Sequence, residues 1–366
     1  MFIRFPLARI GVCAAVLTAL AWSAASAAFV RAPAAAAVHV DVIGHLHNIV
    51  TIGSTVDPMN GDQNPYGLTI APSSNGAMKK GDLVICNFND KANIQGLGTT
   101  LEVLHPAPGS SPVTLAKDPT LTGCTAIALS PGDNPWVAAY VANDNPILSP
   151  TGMLLTSLNN FSWNLPFGQA FSATPGVRGA FGAFYESNAR DGSIVRINLA
   201  KKGLTFNTIV RGFPVNHGVP GKILGPSGLT YDMAHDILYI VDGTNNTVYA
   251  INAPGKVPPE GIFVRPDGFF GPAAAAARVV FSGAPLNAPI SASQLFNGDL
   301  VVGNTGDNKL VELSAPFGKV IHVTNLDKGI AGALFGIVAS GTSIADTKVY
   351  FNDDNDNTVK VLQAGP

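Results

Sequence analysis

One pattern repeats along most of the chain, and it limits the possible folds more than any other feature. In each copy an apolar, β-rich run ends in a polar residue, a turn rich in Asn, Asp and Gly follows, and an alternating run resumes. The clearest copies cover residues 236–251, 299–313 and 348–362. Because Asn, Asp and Gly tolerate positive φ in tight turns, this pattern predicts β-hairpins.

The polar residues that end these strands give the period of the repeat. They are 56, 43, 56, 62 and 48 residues apart, with a mean of 53. An upstream strand with small residues precedes most copies. A period in this range is typical of propeller blades. The six strand-end residues are Asn87, Asn143, Glu186, Asp242, Asn304 and Asn352.

Six such units predict an all-β chain that folds as one six-bladed β-propeller over residues 39–366, with four-stranded antiparallel blades. The sixth unit ends near Leu362, before its fourth strand, and residues 39–43, extended toward Thr51, are the spare strand. Pairing that N-terminal strand into the last blade closes the ring and removes an exposed edge. The small residues upstream suit innermost strands that crowd around an axis. Two packed β-sandwiches are the disfavoured alternative.

The composition limits the classes of partner that the chain is expected to bind. The 22 Lys and Arg residues against 24 Asp and Glu, with only 13% charged residues, supply no broad basic field. Nucleic acid is therefore excluded as an expected partner. A hydrophobic content of 46% is enough for a packed core, and 39 Gly with 27 Pro fit a chain with many turns.

Residues 1–27 are typical of a secretory signal. Arg4 and Arg9 precede a 13-residue apolar run, and Ala25-Ser26-Ala27 resembles a cleavage site. A membrane-spanning helix needs about 20 residues, so an uncleaved anchor is the disfavoured alternative. Residues 28–38 form an Ala-rich lead-in. We expect an exported protein, periplasmic or extracellular, with no stable membrane insertion after cleavage.

Two cysteines remain after the signal, Cys86 and Cys124. Cys86 ends the second strand of unit one, and Cys124 begins the first strand of unit two. Antiparallel order places both at the same end of adjacent blades, and an oxidising compartment permits pairing. The sequence therefore predicts a disulfide between them.

Two segments resemble the NHL repeat, whose pattern is P-x-G-hydrophobic, then a strand ending in Asp, then x-x-x-N-x-V. They are Asn64-Pro-Tyr-Gly-Leu-Thr-Ile-Ala-Pro72 and Leu238-Tyr-Ile-Val-Asp-Gly-Thr-Asn-Asn-Thr-Val-Tyr-Ala-Ile251. The likeness is good in units one, four, five and six and poor in units two and three. It implies a six-bladed β-propeller of a type often exported in bacteria. It does not imply a function, because propellers host binding modules, lyases and lactonases.

The chemistry in the sequence favours a binding module for a protein, peptide or glycan. No Gly-x-Ser-x-Gly nucleophile motif occurs. No Gly-rich phosphate motif precedes a helix, so we expect no nucleotide cofactor. The six strand-end residues are the ligand-binding candidates, together with His217 in the loop between units three and four. Two aromatic insertions, 161–167 and 266–272, either bind a ligand or pack over the gaps between blades.

The alternative is a divalent-metal-dependent hydrolase. If the strand-end oxygens face the central tunnel, they form a ring able to hold Ca²⁺ or a polyhydroxyl ligand. Similar propeller lactonases bind a divalent cation with Glu, Asn and Asp, and here Glu186 and Asp242 would be the metal ligands. The favoured interpretation is local, since Asn and Asp at a strand end bond to their own turn. Glu186 is the exception, because its longer side chain suits such turns poorly.

Overall fold

A computed structural model describes residues 39–159, 161, 163–173, 180–216 and 225–365. The predicted signal and lead-in, and His217, lie outside these residues. No helix among the described residues is long and apolar enough to cross a membrane. The strands are β1 (Asn48–Ser54), β2 (Gln63–Ile70), β3 (Leu83–Asn89), β4 (Thr100–Leu104), β5 (Val113–Lys117), β6 (Cys124–Leu129), β7 (Pro135–Ala139), β8 (Pro146–Leu148), β9 (Leu154–Ser157), β10 (Pro166–Ser172), β11 (Ala180–Asn188), β12 (Ser193–Ala200), β13 (Gly203–Arg211), β14 (Pro226–Asp232), β15 (Ile237–Asp242), β16 (Thr247–Asn252), β17 (Ile262–Arg265), β18 (Gly268–Phe270), β19 (Ala277–Ser282), β20 (Pro289–Gln294), β21 (Leu300–Asn304), β22 (Lys309–Leu313), β23 (Val320–Asn325), β24 (Leu334–Ser340), β25 (Lys348–Asp353) and β26 (Thr358–Gln363).

These strands form six sheets, and the prediction of a six-bladed propeller is confirmed. Blades one to six begin with the inner strands β2, β6, β10, β14, β20 and β24. Five sheets have four antiparallel strands each. Successive hairpins along the chain therefore build successive blades, as the repeat predicts.

The ring is closed by β1, which pairs antiparallel with β26 as the outer strand of blade six. The predicted closure by an N-terminal strand is confirmed, and the extension toward Thr51 overlaps β1, but the predicted start at 39–43 is wrong. Ile43–His45 form a 3₁₀ turn instead. The backbone N–H groups of Val42 and Ile43 donate to the carboxylate of Glu312 in blade five, at 3.1 and 2.8 Å. Those donors are therefore occupied, and pairing starts only at Asn48.

A small residue lies at the third position of five inner strands and at the fifth position of β2, as the sequence predicts for strands that crowd around an axis. At Gly168 a Cβ atom would lie 1.9 Å from the carbonyl oxygen of Ser227, and at Gly228 one would lie 2.6 Å from that of Ile290. Backbone thus packs on backbone from blade to blade. The six residues are Gly67, Ala126, Gly168, Gly228, Ser291 and Gly336.

Blade three is larger than the four strands predicted. The hairpin β17–β18 belongs to the chain between β16 and β19 of blade four, yet β17 pairs in parallel with β13, the outer strand of blade three. Gly212 permits this approach. Its φ is +91°, and a Cβ there would lie 2.4 Å from the carbonyl oxygen of Val264. The hairpin therefore bridges two blades.

Candidate functional site

The register of the sheets corrects the predicted column of strand-end residues. In five blades the inner-strand residue just before the bulge pairs with an Asn or Asp on the second strand, whereas blade two has Ala139 opposite Cys124. Asn87, Asp242 and Asn304 belong to this column. Asn143 lies four residues beyond it, Glu186 two residues before it and Asn352 one residue before it. The full column is Asn87, Ala139, Asn188, Asp242, Asn304 and Asp353.

The amides among the predicted ligands bond to nearby backbone. Asn143 is exposed, with φ +54°, and its side chain bridges Trp163 O and Leu165 N. Asn304 donates to Pro285 O at 2.8 Å. Asn352 donates to the carbonyl oxygens of Tyr66 and Gly67 in blade one, both at 3.2 Å. Asn87 donates to the carbonyl oxygens of Thr55 and Asp62. These residues join turns and neighbouring blades.

Asp242 ends β15 and is fully buried. One carboxylate oxygen accepts from the backbone N–H groups of Thr244 and Asn245, at 2.9 and 3.4 Å, which is the local bonding predicted for such a turn. The other oxygen has no hydrogen-bond partner. Burial raises the pKa of Asp242 to about 6, although the two N–H groups lower it.

Glu186 lies on β11 and is also fully buried. Its Oε2 atom accepts from Gln169 Nε2 at 2.7 Å and from the side-chain amide of Asn145 in blade two. Burial raises the pKa of this carboxyl well above its usual range, while the amides of Gln169 and Asn145 lower it and Asp144 raises it. Its Oε1 atom, Gln169 Oε1 and Asn145 Oδ1 lack hydrogen-bond partners.

The axial cavity does not bring the predicted ligands together. It has a volume of about 80 Å³, and none of the six strand-end candidates lines it. Gln169 contributes a polar side chain to its lining. Tyr66 stacks between Phe88 and Phe335, with ring centroids 4.2 and 3.8 Å apart, where the inner strands begin. The cavity has room for a few water molecules and not for a sugar ring.

The predicted metal pair is also separated. Glu186 bonds to residues of blades two and three, whereas Asp242 bonds within its own turn in blade four. Within the described part of the chain, no group of three or more His, Cys, Asp or Glu side chains is placed to hold a metal.

A larger pocket lies between blades three and four, on the inserted hairpin. This pocket, called here the hairpin groove, has a volume of about 590 Å³. Tyr249 and Phe269 supply aromatic rings 6.0 Å apart. Thr247 and Ser282 form a polar pair, with hydroxyl oxygens 2.8 Å apart. The side chains that we use below to define the groove are Asn245, Thr247, Tyr249, Arg265, Phe269 and Ser282.

Two arginines of blade three hold the inserted segment in place. Arg211 Nε lies 2.9 and 2.7 Å from the two carboxylate oxygens of Glu260, just before β17. The buried Arg196 donates from one nitrogen to three carbonyl oxygens, those of Pro254, Gly255 and Val257, at 3.0, 2.8 and 2.8 Å. The wall of the groove is therefore anchored to the neighbouring blade at two points, which favours a preformed site.

The two aromatic insertions pack in different places. Phe161 stacks on Phe206 at 4.9 Å, and Trp163 is buried beside them, so this insertion caps blade three. In the second insertion Phe269 lines the groove, and the guanidinium of Arg265 lies 4.8 Å from the ring centroid of Phe270. The aromatic signal in the sequence marks this segment, but its pairing with blade three follows from no local pattern.

Cys86 and Cys124 are joined by a disulfide, with their Cα atoms 5.9 Å apart. It links the second strand of blade one to the inner strand of blade two. The bond lies within a buried hydrophobic cluster, away from the groove. It therefore has a structural role in the described fold.

Comparisons with known proteins show the fold alone. No protein-family model matches the chain, and no curated protein matches it. A streptogramin B lyase structure is 16% identical with a TM-score of 0.51, covering 87% of this chain and 98% of that chain. Regucalcin from Agrobacterium tumefaciens, described as a calcium-binding protein, is 16% identical with a TM-score of 0.53, covering 85% and 93%. A putative gluconolactonase is 11% identical with a TM-score of 0.55, covering 88% and 94%.

Proposed function

We propose that the chain is an exported, NHL-like binding module whose ligand lies in the hairpin groove. The ligand is a peptide or glycan segment, presented alone or by a larger partner protein. The observation that carries the proposal is the groove itself, since an insertion of blade four builds it by pairing with blade three.

The groove has the size and chemistry of a binding site. Ligand pockets in proteins have volumes of roughly 300–1,000 Å³ and combine aromatic surface with a few fixed polar groups. Tyr249 and Phe269 supply the aromatic surface here. Asn245, Arg265 and Ser282 are exposed at the groove and can donate hydrogen bonds to a ligand.

Two features support export. Residues 1–27 have the sequence pattern of a secretory signal. The Cys86–Cys124 disulfide suits an oxidising compartment. The low charge of the chain supports a partner other than nucleic acid.

The test is a screen of the purified protein against peptide and glycan arrays, followed by measurement of Kd for the tightest ligand. We expect Phe269→Ala to weaken binding by about tenfold or more, because it removes a contacting ring. Phe181→Ala is the matched control, since Phe181 is 61% exposed at the start of β11 and does not line the groove. An array ligand that binds Phe269→Ala and the wild type equally would refute the proposal.

A second candidate function is hydrolysis of a lactone or ester that depends on a divalent cation. One observation favours it: Glu186 has an unpartnered oxygen and bonds to Gln169, which lines the axial cavity. The regucalcin and gluconolactonase structures add a likeness of fold only. We expect calcium-dependent lactone hydrolysis that Glu186→Gln abolishes. If wild type and variant are equally inactive with and without Ca²⁺, this candidate fails.

A further inference from the structure

A second buried carboxylate, Glu102, lies in blade one with oxygen atoms around it that have no partner. Glu102 is 0% exposed, and neither of its carboxylate oxygens has a hydrogen-bond partner. The side-chain oxygens of Thr55, Asn87 and Thr100 are also buried and unpartnered. An unpaired buried polar atom costs about 1–3 kcal/mol, so four such side chains in one region require an explanation.

The strand register places these oxygens together. Glu102 pairs with Ile85 and Leu101 with Cys86, so Thr100 lies opposite Asn87 on the next position of the same ladder. Thr100 and Glu102 are two residues apart on β4 and share one face of the sheet. The Nδ2 atom of Asn87 donates to the carbonyl oxygen of Thr55 at 2.8 Å, which brings Thr55 to the same cluster.

The charge of this region is negative. Burial raises the pKa of Glu102 well above its usual range. The polar side chains of Thr100 and Asn87 lower this pKa, and the negative charges of Asp57 and Asp62 raise it further. Asp57 is held by Thr114 Oγ1 at 2.7 Å, and Asp62 by the backbone N–H of Thr99 at 2.7 Å. Among the ion pairs of the described residues, none includes Glu102.

We propose that Glu102, Thr100, Asn87 and Thr55 form a calcium site between the closing strand and blade one. The donor atoms are a carboxylate, two hydroxyls and an amide oxygen, with no nitrogen or sulfur. Hard cations prefer such a set, and Ca²⁺ accepts six to eight oxygens in flexible geometry, with water completing the shell. The carboxylates of Asp57 and Asp62 add negative charge near the site.

The position of the site gives the cation a structural role. Thr55 follows β1 directly, and its backbone N–H donates to Asn357 O in blade six at 2.9 Å. Glu102, Thr100 and Asn87 belong to blade one. Bound Ca²⁺ therefore ties the N-terminal closing strand to the first blade, at the point where the ring closes.

The test measures bound calcium and the melting temperature of the wild type, first dialysed against EDTA and then with CaCl₂ added. We expect one Ca²⁺ per chain and a higher melting temperature with calcium. Both effects disappear in Glu102→Gln and persist in Glu312→Gln, the matched control with another buried glutamate. Glu186→Gln is measured beside them to separate the second candidate function. Thr100→Val removes one hydroxyl oxygen and should weaken calcium binding at least tenfold, which keeps the proposal testable if Glu102→Gln does not fold.

Three results would overturn the proposal. Identical melting curves in EDTA and CaCl₂, with no bound calcium, mean that a proton on Glu102 and buried water satisfy the cluster. A calcium effect that survives in Glu102→Gln places the ion elsewhere. A calcium effect lost in Glu186→Gln alone assigns it to the second candidate function and leaves Glu102 without a cation.

Discussion

Asp242→Asn should stabilise the protein at neutral pH, although it removes a charge from a predicted ligand. The pKa of Asp242 in the fold is about 6, against an ordinary value of 3.8. The folded state thus holds its proton more tightly than the unfolded state, so stability is full below about pH 4 and falls as the pH rises to about 6. The shift of about 2 pKa units corresponds to a loss of about 3 kcal/mol. Asn keeps the oxygen that accepts from Thr244 and Asn245.

The assay is urea unfolding of the wild type and Asp242→Asn at about pH 4 and about pH 8. We expect the free energy of unfolding of the variant to exceed that of the wild type by about 1–3 kcal/mol at about pH 8, and by much less at about pH 4. Asn304→Asp is the matched reverse, since Asn304 holds the equivalent register position, and it should lose stability at about pH 8. A destabilised Asp242→Asn at about pH 8 would show that the carboxylate is ionised and paired with a cation, which refutes this reasoning.

Three further changes test the packing of the ring, each by urea unfolding at neutral pH. Replacing both Cys86 and Cys124 with Ser should cost about 4 kcal/mol in the chain-entropy model for a separation of 38 residues. Equal stability of the wild type in reducing and oxidising buffer would contradict a formed disulfide. Gly168→Val should unfold the protein or strongly lower its free energy of unfolding, because its Cβ would lie 1.9 Å from Ser227 O, and a wild-type urea curve would show that the inner strands do not touch. Arg196→Met should cost about 2–6 kcal/mol, because it leaves the buried carbonyl oxygens of Gly255 and Val257 unpaired, and a neutral effect would mean that other contacts hold the inserted segment.

The fold could be predicted from the sequence because each blade is a local unit. Hairpin turns and apolar strands lie within about 53 residues of one another, so the repeat reports directly on blade number. The pattern predicts a closing strand that starts several residues too early, at 39–43 with an extension toward Thr51, whereas β1 is Asn48–Ser54. The reason is a contact with Glu312, about 270 residues away along the chain, which no local pattern contains.

The candidate site was harder to predict from the sequence than the fold, and one cause is the irregular pairing of the inner strands. A bulge interrupts the pairing of each inner strand, for example between Pro166 and Gln169, so equivalent residues do not keep a constant spacing along the sequence. Glu186 was therefore assigned to a strand-end column to which it does not belong. The segment Thr-Leu-Glu-Val-Leu is an ordinary alternating strand, so the sequence does not indicate a site at Glu102. The residues around Glu102 come from other segments of the chain.

The hairpin groove depends on a pairing between blades. The aromatic segment 266–272 is visible in the sequence, but the parallel pairing of β17 with β13 depends on Gly212 and Arg211, more than 50 residues upstream of Arg265. Periodicity within a blade cannot report such a contact. The signal that could have marked the segment is its length, because it makes the spacing from Asp242 to Asn304 the longest of the series, at 62 residues.

Hydrogen–deuterium exchange with and without the tightest array ligand tests the central claim most directly. If the ligand lies in the hairpin groove, the amides of β17, β18 and the start of β16 exchange more slowly when it is bound, while those of the opposite blades are unchanged. Protection at the inner strands around the axial cavity, or at no part of the hairpin, would contradict the account.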